Sequence, residues 1–476
     1  MIESMFIIVL LTVLVLGSVL SAEASPIRLH PDNPHYFLFK NKPTVLITSG
    51  EHYGAVLNAD FDYTTYLNTL AKDGLNNTRV FIGAYCEHPE AFNIAHNTLA
   101  PAPERFLSPW KRSNQSGYAN GGNKFDLHVY DDTFFVRLKD FMSKASAHDI
   151  VVEINLFCPF YKDDMWHLSP MNSLNNINGL GTVSKEDVYT LDKNGGLFAV
   201  QETFVQKVVT ELKDYDNLYY EIMNEPYVRK VPMDWQRHIV DVIAKTEKNL
   251  QVKHLISLNI ANHKAKVENL HPAVSILNFH YAWPPETVAM NYDLDRAIGD
   301  NETGFKSTGD FYYRREGWAF LLSGGALYNN LDYSFTVGHE NGTFEYPAQQ
   351  PGGGTVALRR QLGILKTFVH GFDFVRMTPD NRVISGELPE NIAAYTLMET
   401  GKQYAIYMCR TENDPPAKEI NVSFQLDLPQ GEYAAEWINT LTGEILKLTK
   451  IVHKGGVCAI PSPAFAQDVA LRIIAE

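Results

Sequence analysis

Two periodicities of apolar and polar positions divide the chain. Before about residue 375, short apolar runs alternate with longer stretches in which apolar residues recur every three or four positions, as on one face of a helix. After about residue 378, apolar and polar residues alternate with a period of two, and Gly, Pro and Asn interrupt the runs. The pattern predicts an α/β domain over residues 26–375 and a small all-β sandwich over residues 378–476.

Eight apolar runs in the first domain have the length of strands, and most are followed by a helical pattern. The predicted strands are residues 44–49, 78–83, 150–157, 218–223, 254–260, 274–281, 296–302 and 325–330. The clearest predicted helices are residues 61–74, 132–149, 199–214, 233–249, 313–324 and 355–372. Eight strand-then-helix units over roughly 330 residues favour a (β/α)8 TIM barrel over an open doubly wound sheet.

Two long irregular inserts, residues 84–130 and 158–197, each follow a predicted strand. In a (β/α)8 barrel they would lie at the carboxyl face, where active sites are built. Both are rich in Asn, Gly, Pro and aromatic residues, as ligand-binding loops often are. We therefore expect the functional site at this face, with loop candidates Tyr85, Glu87, Tyr161 and Trp166.

The first 24 residues have the composition of a secretory signal peptide. Residues 5–16 are apolar apart from Thr12, and Ala-Glu-Ala at residues 22–24 fits a cleavage site. The segment before the apolar run carries Glu3 and no Lys or Arg, so an uncleaved anchor stays open as an alternative. The sequence predicts a secreted or periplasmic protein, and after residue 25 no apolar run approaches membrane-spanning length.

The net charge and the spacing of the cysteines limit which partners, metals and disulfides we expect. The formal net charge is −14 and no long basic run occurs, which argues against nucleic acid and anionic membranes as partners. The four cysteines do not show metal-ligand spacing, so we predict neither a metal nor a cofactor. The core is large enough to fold without disulfides, which favours free thiols at Cys86, Cys158, Cys409 and Cys458.

Candidate chemistry appears where two of the predicted strands end. The run LYYEIMNEPYV, residues 218–228, places Asn224 and Glu225 at the end of the fourth strand. The run AIGDNETGF places Glu302 at the end of the seventh strand. A carboxylate at the tip of an apolar strand is costly unless it is paired or used. In a barrel, both carboxylates would face the same end.

The two motifs, Asn-Glu-Pro at strand four and Asn-Glu-Thr-Gly at strand seven, resemble those of the retaining glycoside hydrolases of clan A. The chain is most similar to family 5, the cellulase-like enzymes, over residues 26–375. The whole also resembles exported bacterial cellulase-like proteins with a C-terminal collagen-binding-like sandwich. The resemblance implies a β-linked oligo- or polysaccharide substrate, with Glu225 as the acid/base and Glu302 as the nucleophile.

The chemistry of such enzymes sets expectations for the neighbouring residues. Cleavage with retention needs two carboxylates about 5–5.5 Å apart. The resemblance places Arg79, on strand two, beside Glu302, where its charge would favour the ionised carboxylate. It places Asn224 at the sugar 2-hydroxyl, a contact that strengthens in the transition state.

The sixth strand departs from the family pattern. The family usually has a His and a Tyr two residues apart, whereas His280 and Tyr281 are adjacent here and would face opposite ways in a regular strand. Two alternatives stay open: the strand ends at His280, or one of the two side chains does not touch substrate. Trp283 is then a candidate sugar platform.

Other strand ends supply further candidates for sugar binding. Glu51 and His52 follow the first strand, and Asp332 follows the eighth. A third acid near the site could bind sugar hydroxyls, and Glu51 would be the alternative acid if Glu225 did not serve. The competing interpretation for Glu51 and His52 is a buried loop network whose polar groups satisfy one another.

Two other functions are compatible with the same fold. One is a non-catalytic carbohydrate-binding or scaffold protein on a decayed barrel, and the other is a transglycosylase. The presence of both acids together with Arg79 and Asn224 argues against decay. The C-terminal sandwich is expected to be a structural accessory domain, with Trp437 in its core.

Overall fold

The computed structural model describes residues 25–306 and 308–476. The signal segment predicted at residues 1–24 therefore lies outside the described residues. The predicted fold class is confirmed: an eight-stranded parallel sheet curls into a nearly closed barrel, and a separate all-β domain follows it.

The barrel strands begin and end within a few residues of their predicted limits. We call them barrel strands one to eight, and in chain order they are Leu46–Gly50, Asn77–Phe81, Val151–Phe157, Leu218–Met223, Leu255–Asn262, Ile276–His280, Ala297–Thr303 and Leu327–Leu331. Each hydrogen-bonded pair is parallel, and strand eight returns to pair with strand one. Most of their side chains are buried, as expected where helices cover the outside of a parallel sheet.

An asparagine side chain links barrel strands one and two. The backbone N–H of Ile47 donates to Asn76 Oδ1 at 2.9 Å, and Asn76 Nδ2 donates to the carbonyl of Val45 at 2.9 Å. The backbone N–H of Asn76 also donates to the carbonyl of Ile47 at 3.2 Å. The amide group thus supplies the hydrogen bonds that a regular ladder would make at this seam.

Helices cover the outside of the barrel. Their bounds are Tyr63–Lys72, Asp132–Ala147, Asp163–Leu168, Phe198–Leu212, Met233–Leu250, Glu286–Asn291, Asp310–Leu322 and Val356–His370. Short 3-10 turns lie at Ala91–Asn93, Pro226–Arg229, Tyr292–Leu294, Phe374–Arg376 and Asn381–Val383. Barrel strand five continues to strand six through residues 263–275, which are not helical. None of the helices in the described part of the chain has the length and apolarity needed to cross a bilayer.

Smaller elements extend the barrel domain. A three-stranded antiparallel sheet precedes barrel strand one, with strands Arg28–Leu29, Phe37–Phe39 and Lys42–Thr44. The insert at residues 84–130 contains an antiparallel hairpin of Trp110–Ser116 and Asn123–Tyr130. The hairpin orders a long loop on the same side of the barrel as the strand ends, so this insert can form a wall of the site.

The C-terminal domain packs a six-stranded antiparallel sheet against a three-stranded one. Its strands are Thr378–Pro379, Ile384–Ser385, Ile392–Glu399, Gln403–Arg410, Ser423–Leu428, Gly431–Ile438, Ile445–His453, Gly456–Pro461 and Asp468–Ala475. Trp437 is buried in its core and meets the ring of Phe424 edge-on. The four cysteines are free thiols, as the sequence favoured.

The sandwich is fastened to the helix Asp310–Leu322, which follows barrel strand seven. The guanidinium of Arg314 donates to both carboxylate oxygens of Asp468 at 2.9 Å each. The next residue, Arg315, donates through Nη1 to three backbone carbonyls of residues 410–412. Trp318 stacks on Tyr407 with ring centroids 5.3 Å apart. Tyr407 and a few other sandwich residues thus belong to the buried core of the barrel, while the sandwich keeps a second core of its own around Trp437.

Candidate active site

A cavity of about 320 Å3 opens at the carboxyl ends of the barrel strands. Three carboxylates reach it, those of Glu87, Glu225 and Glu302. Aromatic rings form most of the remaining wall: Tyr53, Phe81, Phe92, Tyr161, Tyr281 and Phe305. Rings with a polar edge beside convergent acids are typical of a site that binds a ligand with both apolar faces and hydroxyl groups.

Glu225 and Glu302 lie close together at the bottom of this cavity. One carboxylate oxygen from each of them and Nδ1 of His280 all lie within 4.8 Å of one another. Glu225 is 8% exposed and Glu302 is 6% exposed, so both acids are largely shielded from bulk water. This is the one group of three within the described residues that has the spacing of a metal site, and its donors also suit acid–base chemistry on a ligand.

Local backbone geometry turns Glu225 towards the cavity. Barrel strand four ends at Met223, and Pro226 begins a 3-10 turn two residues after Asn224. Glu225, between them, adopts a left-handed conformation with φ of +38°. Its backbone N–H donates to Asn259 Oδ1 at 3.0 Å, which holds this conformation in place.

Glu302 is surrounded by hydrogen-bond donors. The hydroxyl of Tyr281 donates to Oε1 at 2.6 Å, and the hydroxyl of Tyr53 donates to Oε2 at 3.0 Å. Arg79 Nη1 donates to Oε2 at 3.1 Å. Three donors, one of them a cation, hold this carboxylate in a fixed orientation.

Glu225 has a different set of partners. The hydroxyl of Tyr161 donates to Oε2 at 2.6 Å, the hydroxyl of Tyr227 lies 3.3 Å from Oε1, and His280 Nδ1 also lies 3.3 Å from Oε1. Burial raises the pKa of Glu225, but the hydrogen bond and charge of His280, with the two tyrosine hydroxyls, together hold this pKa below its usual value. His280 is therefore the residue that most strongly sets the proton affinity of Glu225.

The structure resolves the question of the sixth strand. Barrel strand six ends at His280, and Tyr281 adopts a left-handed conformation with φ of +54°. The break in the alternation lets both side chains point at the acids: His280 lies beneath them, and Tyr281 lines the cavity. The first of the two alternatives, that the strand ends at His280, is the correct one.

Arg79 joins four strands beneath the cavity. Its guanidinium donates to Glu153 at 2.6 Å, to Asn224 Oδ1 at 2.7 Å and to Glu302, and it also donates to Glu221. It is fully buried and lies over the ring of Tyr53 at 4.5 Å. The position beside Glu302 agrees with what the resemblance implied.

Two of these partners, Glu153 and Glu221, were not anticipated from the sequence. Burial, and then the neighbouring carboxylate of Glu221, raise the pKa of Glu153 to about 8, so it is protonated at neutral pH. Asn301 Nδ2 donates to both acids at 2.9 Å, and Asn278 Nδ2 donates to Glu221 at 2.7 Å. The available signal was an acid inside each of the two apolar strands that follow the strand of Arg79, one and two strands away from it.

Comparison with known proteins agrees with this geometry. Residues 53–283 match the sequence model of the family Cellulase (glycosyl hydrolase family 5). The matched region lies within the barrel domain, and the chain is a glycosidase. No curated protein sequence matches it.

Several solved structures share the fold of this glycosidase. A candidate glycoside hydrolase from Bacteroides vulgatus is 13% identical with a TM-score of 0.66, covering 96% of this chain and 83% of its own. A family 5 glycoside hydrolase from the same organism is 13% identical with a TM-score of 0.59, and the match covers 94% of this chain and 93% of its own. A family 5 mannosidase from Rhizomucor miehei is 14% identical with a TM-score of 0.50, and the match covers 74% of this chain and 99% of its own.

Four side chains expected at the site of the glycosidase lie elsewhere. Trp283 packs on the guanidinium of Arg315 at 4.3 Å and faces Tyr395 of the sandwich, so it is part of the domain joint and not a sugar platform. Asp332 is buried in an ion pair with Arg359 at 2.7 Å, outside the cavity. Trp166 is buried and donates to the carbonyl of Val183 at 3.0 Å.

Glu51 is the fourth of these. Its carboxylate accepts hydrogen bonds from the backbone N–H groups of Gly54 and Ala55 and from the hydroxyl of Thr98, at 2.9, 3.0 and 2.5 Å. Burial raises the pKa of Glu51 to about 7, although these bonds oppose the shift. The competing interpretation, a buried and satisfied loop network, is therefore the correct one for Glu51, which does not line the cavity.

His52, in contrast, does line the cavity, and it faces Glu87. Its Nε2 lies 3.4 Å from Glu87 Oε2, and Glu87 accepts hydrogen bonds from the hydroxyl of Tyr85 at 2.9 Å and from Asn97 Nδ2 at 2.6 Å. Burial lowers the pKa of His52, but the carboxylates of Glu87, Glu302 and Glu51 outweigh it, and the net shift is upward. The cavity residues that the sequence did not suggest are mostly apolar loop residues: Phe92, Leu99, Val228, Asn262 and Phe305.

The network around Arg79 predicts a contrast between two substitutions. Arg79→Met leaves Glu221 and Glu302 buried without a cation, and we expect it to lower the free energy of unfolding by about 3–5 kcal/mol. Glu153→Gln replaces an acid that is already neutral at pH 7, and we expect a change of about 1 kcal/mol or less. Urea unfolding of both variants measures these changes.

The pH dependence adds a second readout. In the folded state Glu153 keeps its proton up to about pH 8, whereas in the unfolded chain it loses the proton near pH 4.5. The protonated acid therefore contributes fully to stability below pH 4.5, and this contribution is lost as the pH rises to 8. Glu153→Gln should flatten that part of the stability profile. Arg376→Met, at an exposed ion pair, is the control with little effect. Equal losses of unfolding free energy in Arg79→Met and Glu153→Gln at pH 7 would contradict the assignment of Arg79 as charged and Glu153 as neutral.

Proposed function

We propose that the protein is a retaining glycoside hydrolase that cleaves a β-linked glycoside by double displacement. The observation that carries the proposal is the spacing of Glu225 and Glu302, whose nearest oxygens lie within 4.8 Å. Retaining enzymes place the two carboxyl groups about 5–5.5 Å apart, whereas inverting enzymes separate them by about 6.5–9.5 Å to admit a water molecule. The spacing here supports the retaining arrangement.

The surroundings of the two acids support a division of roles. Glu302, held by Arg79 and two tyrosine hydroxyls, suits the nucleophile, because a nucleophile must be ionised and aligned with the anomeric carbon. Glu225 can then donate a proton to the leaving oxygen in the first step. In the second step it takes a proton from the water that attacks the glycosyl-enzyme, and Glu302 departs as a carboxylate.

Asn224 is suited to bind the sugar 2-hydroxyl. Its Oδ1 accepts from Arg79, and its Nδ2 donates to the hydroxyl of Tyr161 at 2.8 Å. An amide nitrogen has two hydrogens, and the second one points to the sulfur of Cys158 at 3.7 Å, a weak acceptor that a sugar hydroxyl in the cavity can replace. The Arg79 contact fixes which end of the amide faces the sugar.

We also propose that the enzyme is exported, on the strength of the apolar segment and the Ala-Glu-Ala sequence before residue 25. Expression of the full chain in a bacterium, followed by cell fractionation and N-terminal sequencing, tests this. We expect a mature chain outside the cytoplasm that begins at or near Ser25. Retention of residues 1–24 on a membrane-bound chain would favour the uncleaved anchor.

The double displacement predicts opposite products from two variants. On an activated aryl β-glycoside, Glu225→Ala should still form the glycosyl-enzyme, but hydrolysis should slow by about 10²–10⁴-fold for lack of a general base. A burst of phenol should appear, and azide should restore turnover and yield the β-glycosyl azide. Glu302→Ala should lose turnover, and azide rescue should yield the α-glycosyl azide. NMR of the products distinguishes the α- from the β-glycosyl azide. The β product from Glu302→Ala together with the α product from Glu225→Ala would exchange the roles of the two acids.

The contact between His280 and Glu225 predicts a shift in the pH profile. Glu225 must be protonated to act as the acid, so the basic limb of kcat/KM follows its pKa. His280 stabilises the carboxylate and lowers that pKa, which moves the loss of activity to lower pH. His280→Gln should therefore raise the pKa and move the basic limb to higher pH. An unmoved basic limb in this variant, measured on the same aryl glycoside, would assign the limb to another group.

A further inference from the structure

The two sides of the cavity differ in exposure. Beside Glu302 the wall is closed, since the cavity-lining residues His52, Tyr53, Phe81, Glu87 and Leu99 are at most 8% exposed. Hydrogen bonds tie this wall together: Tyr53 donates to Glu302, and the backbone N–H of Glu87 donates to the carbonyl of Leu99 at 2.8 Å. No chain could pass through it without breaking the packing of buried side chains.

Beside Glu225 the cavity opens to solvent. Val228, in the turn that directly follows Glu225, is 41% exposed and lines the cavity. Asn262, which accepts a hydrogen bond from Tyr227 at 2.6 Å, is partly exposed and lines it too. Phe305, three residues after Glu302, is only partly exposed, so Val228, on the side of the acid, is the most exposed residue of the lining.

These positions give the substrate a direction. An acid catalyst must reach the glycosidic oxygen, so the leaving group occupies the open side next to Glu225. The sugar that becomes attached to Glu302 then faces the closed wall. A cavity of about 320 Å3 is at the lower end of the ~300–1,000 Å3 range of ligand pockets, which suits a single bound ring rather than a long chain.

The closed wall carries polar groups without full partners. Neither ring nitrogen of His52 has a well-aligned hydrogen-bond partner among the described residues, although this side chain is buried and lines the cavity. Glu87 is held in place by Tyr85 and Asn97 and faces the same space. A donor or acceptor on His52 beside a fixed carboxylate complements neighbouring hydroxyl groups on one sugar.

We propose that the glycosidase is exo-acting and binds one neutral sugar at the non-reducing end of its substrate, with His52 and Glu87 as the residues that recognise its terminal hydroxyls. This inference rests on the proposed function. Among the lining residues, three carboxylates, those of Glu87, Glu225 and Glu302, stand against the single imidazole of His52, and this excess of acidic groups disfavours an anionic sugar. The closed wall also excludes a chain that continues beyond the terminal sugar.

A pair of aryl substrates tests this. The first set is aryl β-glycosides of neutral monosaccharides, and the second carries one more sugar at the non-reducing end. We expect direct release of phenol from a monosaccharide substrate. From the matching disaccharide substrate we expect the terminal sugar first and phenol only after a lag. Immediate release of an intact disaccharide, at a higher kcat/KM than for the monosaccharide substrate, would overturn exo action.

Variants test the assignment to His52 and Glu87. We expect Glu87→Gln and His52→Gln to lower kcat/KM on the best monosaccharide substrate by about 10-fold or more through a raised KM. Glu90→Gln, an exposed acid on the same loop, is the matched control and should behave as the unaltered enzyme. Unchanged KM in both cavity variants would show that these residues do not recognise the sugar.

A binding measurement separates this inference from the proposed function. In Glu302→Ala, which cannot form the glycosyl-enzyme, saturation-transfer NMR with a mixture of neutral monosaccharides reports binding without turnover. We expect at least one monosaccharide to bind. We expect its signal to disappear when Glu87→Gln is combined with Glu302→Ala in the same chain. Binding without any hydrolysis by the unaltered enzyme would contradict the proposed function alone. Failure of every monosaccharide to bind would contradict the terminal-sugar site, even if aryl glycosides are hydrolysed.

Discussion

The buried guanidinium of Arg79 is the constraint on which the rest of the site depends. It joins barrel strands two, three, four and seven through Glu153, Glu221, Asn224 and Glu302. A buried charge is tolerated only where it is paired and its hydrogen bonds are satisfied. The interior of the barrel is consequently filled by a polar network at this level. The strand ends that carry Glu225 and Glu302 are held in register by it.

That network also explains why two chemically identical side chains can take different roles. Glu302 is tied into the rigid interior, where a fixed cation and fixed hydroxyls orient it before any ligand arrives. Glu225 belongs to a turn at the edge of the cavity, and its main partners are His280 and two tyrosine hydroxyls.

The sequence predicted the fold and the approach of Glu225 and Glu302 because both depend on regular features. Strand positions follow from apolar periodicity, and Glu225, Glu302 and Arg79 follow from their places on those strands. The prediction failed for residues whose direction depends on loop conformation, because a residue just after a strand can face either the cavity or the neighbouring loops. Glu51 has its partners in a loop, Trp283 packs against the sandwich, and Asp332 pairs with an arginine of the last barrel helix. The left-handed conformation of Tyr281 has no signal in a pattern of apolar and polar residues.

The clamp between Arg314 and Asp468 has a consequence for the way such a protein can evolve. The helix that carries Arg314 follows directly from the strand that carries Glu302, and the sandwich contributes Tyr407 to the same core. The C-terminal domain is thus not a detachable module on a flexible tether. Recombination that exchanged it for an unrelated domain would have to supply a new carboxylate for Arg314 and new carbonyls for Arg315. The two domains are expected to be inherited as one unit.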